Sequence, residues 1–194
     1  MTQRITISLF VIMGLFTLLS AADAQDRGLV AKAEQISGDQ FNFTAMTPKG
    51  AAVYAVNQPS AAMLDAIDTG LTNLFAVALK NGYRRYLNYS DYTIFIARPD
   101  RLKDSDGRYS PDIAVGAAQY AGSIYDKGGY IYAAGMVTSF DPGAFLIAEH
   151  SKELNRVSDV VRFEGEHIVL YHNDRRRFAA TADHSKGGGH PILQ

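Results

Sequence analysis

The chain has 194 residues, 19 Lys and Arg against 20 Asp and Glu, a formal charge of -1 and no cysteine. That balance excludes the basic footprint of a nucleic-acid binder and a polybasic membrane patch. The missing cysteine excludes disulfides and a lipoprotein attachment, so the fold must be held by packing, with or without a metal.

The first segment, MTQRITISLFVIMGLFTLLSAADAQ, has Arg4 as a positive start, an apolar run from Ile5 to Leu19, and Ala22-Asp23-Ala24 as a small-x-small cleavage signal. Residues 1–24 read as a secretory signal peptide, and the run is short for a membrane span. Removal after Ala24 leaves Gln25–Gln194, enough for one domain with its own core and without a membrane span. The expected location is periplasmic or secreted, and a cysteine-free exported domain fits a bacterial envelope.

Residues 25–40 are polar and read as a loosely attached segment, with a single domain over 41–194. QFNFTA and AAVYAV flank Thr47-Pro48-Lys49-Gly50, a turn sequence, and predict a hairpin. Ser60 then stands where a helix cap belongs. Leu64, Ile67, Leu71, Leu74, Phe75, Ala78 and Leu79 follow at helical spacing, predicting a helix that ends near Asn81-Gly82.

From Tyr92 the pattern changes to YTIFIA, IAVGAAQY, YIYAAGMV and AFLIAE, divided by the turn-rich DSDGRYSPD, DKGG and DPG. These runs predict an antiparallel meander. A last helix is expected over Leu154–Asn173, with a helical turn through Arg175–Ala180. The fold class that follows is α+β, a single domain with an antiparallel β-meander packed against two main helices. The second face of the sheet is left to solvent or to the hairpin.

All five histidines, His150, His167, His172, His184 and His190, lie in the C-terminal part of the chain. Imidazole is the commonest metal ligand and the side chain most easily poised for proton transfer near neutral pH, so the clustering marks this segment as the candidate site. On a helical wheel, Val157, Val160, Val161, Phe163, Ile168, Leu170 and Tyr171 share one arc with Glu164, His167 and Asp174, while Glu166 points away. His172 falls at the edge of that arc and reads as a surface residue, and His150 as a solvated loop residue.

A carboxylate on a buried face must be neutral, paired or bound to a cation. Glu164 and His167 stand at i, i+3, the spacing with which helical proteins offer a carboxylate and an imidazole to one metal. His184 and His190 flank Gly187-Gly188-Gly189, which lets the tail fold back. The expected metal set is Glu164, His167, His184 and His190, holding zinc or another divalent ion. Glu164, His167 and His184 are its catalytic members, and Asp174 orients an imidazole from behind. Such a centre would suit a metal-dependent hydrolase of peptide or cell-wall amide bonds.

The competing reading is a non-catalytic envelope domain in which Glu164 and His167 pair structurally and Asp174 caps the next turn. Neither H-E-x-x-H nor H-x-x-E-H is present, since Phe163 stands where the latter needs its first histidine. Arg175-Arg176-Arg177 reads as a solvated helix end more readily than as an anion site. Asp104-Ser105-Asp106-Gly107 lacks the outer calcium ligands and reads as a turn. Tyr120, Tyr125, Tyr130 and Tyr132 suit sheet packing better than a sugar platform.

Overall fold

The computed structural model describes residues 26–99, 112–116, 130–181 and 189–194. The expected signal peptide, the expected Asp104–Gly107 turn, Tyr120, Tyr125 and His184 lie outside the described residues.

Residues 26–37 are helical (α1), although this stretch reads as loose from its polarity; Leu29 and Ala33 are buried against the sheet. The hairpin follows as β1 (Phe43–Met46) and β2 (Ala52–Ala55), paired antiparallel across the predicted turn. Helix α2 (Ala61–Lys80) begins where Ser60 accepts the Met63 N–H. It ends on Gly82 at φ 81°, with the Gly82 N–H on Leu79 and the Tyr83 N–H on Ala78, a Schellman closure for which glycine is the natural residue.

Next come β3 (Tyr92–Ala97), β4 (Ile113–Gly116), β5 (Tyr130–Ala133), β6 (Gly135–Phe140) and β7 (Gly143–Ala148). Helices α3 (Leu154–Asn173) and α4 (Arg175–Thr181) complete the described domain, which is α+β as expected.

The meander is corrected by the strand order. The main sheet runs β1-β2-β3-β7-β6, with β2, β3 and β7 mutually parallel and antiparallel pairs at its two edges. β4 and β5 form a separate antiparallel ribbon. Parallel neighbours cannot be joined by a tight turn, and α2 supplies the crossover from β2 to β3.

Burial explains why the centre is parallel. Every residue of β3 and of β7 is buried, so these strands need cover on both faces. Tyr92, Ile94, Ile96, Phe145 and Ile147 face the α2–α3 pair. Phe95, Ala97, Ala144, Leu146 and Ala148 face α1 and the β4–β5 ribbon. The second face is therefore a second core and is not left to solvent.

Helices α2 and α3 meet at two glycines. A Cβ on Gly70 would stand 2.5 Å from the Ser158 carbonyl oxygen, and one on Gly165 2.3 Å from a Leu74 methyl. Ser158 Oγ also donates to the Ala66 carbonyl at 2.9 Å. Among the described residues α2 is the one helix long and apolar enough to cross a membrane; its apolar side is packed into α3 and the sheet.

Candidate functional site

Helix α3 carries the candidate residues, and its buried positions do not form one stripe. Val157, Val160 and Val161 are followed by an unbroken buried run from Gly165 to Leu170. The sheet and α2 cover two sides of the helix there. Residues 189–194 cover a third, and Leu193 is fully buried in the same core.

That third cover corrects the wheel at Glu166, whose side chain has no exposed surface. Its Oε2 accepts the Ile192 N–H at 2.7 Å and lies 3.4 Å from His190 Nδ1. Its Oε1 is 3.3 Å from Arg162 Nε, an ion pair without hydrogen-bond alignment. His190 Nε2 in turn stands 3.2 Å from His167 Nε2, the rings meeting at 89°. The His190 ring also stacks on Phe163 at 5.0 Å.

The rest of the tail is received in the same way. Arg177 donates to the Ile192 carbonyl at 2.7 Å, Arg162 to the Leu193 carbonyl at 2.9 Å, and Asn81 to the Gln194 carbonyl at 3.2 Å. Peptide groups outside regular structure that lie against the protein need partners, and here Asn81 at the end of α2 and side chains of α3 and α4 provide them.

Of the expected set, His167 and His190 come together and Glu164 does not join them. Glu164 is half-buried against Gly135 of β6 and accepts the Val137 N–H, at the point where the β6–β7 register shifts. Loss of solvation pushes its carboxyl up to about 8, the Val137 bond opposing and the Glu166 charge adding to the shift.

A carboxyl raised in the folded state stabilises the protein fully below its unfolded value. That contribution is lost as pH rises through about 8. Glu164→Gln should therefore flatten the fall in stability between pH 5 and 9. The gain at pH 9 should be about 2 kcal/mol after discounting for partial exposure, read by denaturant unfolding at the two pH values. An unchanged slope would contradict the assignment.

Among the described residues Asp174 bonds no imidazole. It caps α4, accepting the Arg177 N–H at 2.9 Å and the Tyr83 hydroxyl at 3.3 Å, and the first of these holds its carboxyl below the usual range. His172 is not a free surface residue, for it stacks on Tyr86 and its Nε2 lies 2.6 Å from the Phe140 carbonyl. His150 is buried at the turn into α3 with Nε2 unbonded; desolvation, then the nearby Arg156 charge, lowers its pKa. Arg175 lies over the Tyr171 ring and Arg177 donates to the tail.

Comparison with family models, curated proteins and solved structures returns no match. The chemistry open to the cluster is thus set by its own geometry. Among the described residues no group of three or more histidines, cysteines, aspartates or glutamates is arranged as a metal centre. What converges is a buried carboxylate, two imidazoles and a tail amide. The residue that sequence reasoning missed is Glu166, and the signal for it was Ile192-Leu193, an apolar pair near the end of a polar tail.

Proposed function

We propose that this is a non-catalytic exported domain whose C-terminal carboxylate–imidazole cluster fastens the chain end over the α2–α3 pair. One observation carries the reading. Glu166, with no exposed side-chain surface, accepts the Ile192 N–H at 2.7 Å and so is committed to the tail rather than aimed at a cleft. A carboxylate in that position is stabilised by the amide and the nearby Arg162, whereas a general acid or base needs a free path to its substrate.

The hydrolase reading requires that path, together with a nucleophilic water beside His167 or His190. The deciding assay incubates the untagged chain and its His167→Ala variant with peptide and peptidoglycan-amide substrates in the presence of zinc. The expected result is equal, background-level turnover. Turnover by the wild type that is lost in the variant would establish the hydrolase instead.

A further inference from the structure

We propose that the fastening is also a seat for a divalent transition metal, with His167 and His190 as ligands through Nε2 and Glu166 holding His190 from behind. The inference rests on the tail being seated over α3. Two nitrogens bound at the usual zinc distance around a tetrahedral ion stand roughly 3.3 Å apart. His167 Nε2 and His190 Nε2 are 3.2 Å apart, with the rings edge to face and their centroids 4.9 Å apart.

The tautomers favour coordination. His190 Nδ1 faces the Glu166 carboxylate at 3.4 Å, so its proton belongs on that nitrogen and Nε2 presents a lone pair. This is the carboxylate–histidine arrangement by which an outer carboxylate fixes a ligand's ring and raises its basicity. The Phe163 ring, stacked at 5.0 Å and 17°, holds the imidazole from a second side. With a single proton between them, the two Nε2 atoms form one weak hydrogen bond; with none, both lone pairs address one ion.

Imidazole ligands select zinc, nickel, copper or cobalt over calcium or magnesium, which take oxygen. Water completes the coordination. Because His167 is on α3 and His190 is in the tail, the ion would cross-link the chain end to the helix it lies on. Glu166 would place a negative charge behind the cation, and its Oε1, free of hydrogen bonds, lies on the Arg162 side of the group.

The test titrates the untagged, chelator-stripped chain with Co2+, followed by its visible absorption, and then displaces it with Zn2+. One Co2+ per chain is expected, with nitrogen-ligand bands. His190→Asn, a change in a partly exposed tail residue that leaves the core intact, should abolish them. Glu166→Gln should weaken binding about 10- to 100-fold, the usual cost of losing an outer-shell partner. Equal Co2+ uptake by wild type and His190→Asn, or no uptake by the wild type, would overturn the seat. Failure of the fastening itself reads out separately, as additive effects of helix and tail variants on the stability of the metal-free chain.

Discussion

Glu166→Ala should destabilise the domain by about 3 kcal/mol, the largest single effect expected of the candidate residues. Two routes bound the figure. If the tail stays in place, the Ile192 N–H loses its carboxylate acceptor, a charged hydrogen bond of about 1.5–3 kcal/mol, and the partly exposed Arg162 loses its ion pair in addition. If the tail detaches, its amide is rehydrated but Leu193 leaves the core, a loss of about 1.5–3 kcal/mol, together with three side-chain bonds to tail carbonyls.

Both routes end near the same value, and a fall of about 6–12 °C in thermal midpoint is expected for a domain of this size. Glu166→Gln should cost less, since an amide oxygen still accepts the Ile192 N–H. A Glu166→Ala protein as stable as the wild type would show that the carboxylate is not engaged.

Gly70→Ala should also destabilise, by about 1–2 kcal/mol net, against the direction that helix propensity predicts. Alanine in a helix interior gains about 1 kcal/mol over glycine. Here the added methyl would sit 2.5 Å from the Ser158 carbonyl oxygen and 2.8 Å from Val161 Cβ, and a backbone atom of α3 cannot swing aside as a side-chain tip can. Overpacking of this kind costs about 1–3 kcal/mol or more, so sterics win. Gly28→Ala is the control, for nothing lies within 4 Å of its Cβ position on α1; it should be neutral or stabilising. Denaturant unfolding of the three proteins reads both signs, and a stabilised Gly70→Ala would mean that the Ser158 carbonyl lies farther from the Gly70 Cβ position than 2.5 Å.

The same contact shows what could and could not be read from residues alone. The bounds of α2 follow from a cap, a closing glycine and helical periodicity, and those of α3 from periodicity alone, all local properties. Strand order is not local. YTIFIA and the β7 strand GAFLIA carry no alternation, and an uninterrupted apolar run is the mark of a strand covered on both faces, which favours a parallel centre over a meander. Gly70 and Gly165, each in mid-helix, were the further clue that two helices approach there.

The site was legible in part. Histidine clustering and the triple glycine led to His167 and His190, which do meet. The wheel then promoted Glu164 and set aside Glu166, because it assumes one buried stripe per helix. Helix α3 is buried along its whole stretch from Gly165 to Leu170, since residues 189–194 lie over the side the wheel assigns to solvent. A segment that returns from the far end of the chain leaves no periodic trace in the helix it covers. The apolar Ile192-Leu193 pair was its only sign.

The most direct measurement of the account is a double-mutant cycle in the metal-free chain between Glu166→Ala and removal of residues 190–194, followed by denaturant unfolding. If Glu166 acts by holding the tail, the second change should cost little once the first is made, with a coupling of at least about 2 kcal/mol. Effects that add to within about 0.5 kcal/mol would mean that the carboxylate and the tail act independently, and the fastening would be contradicted.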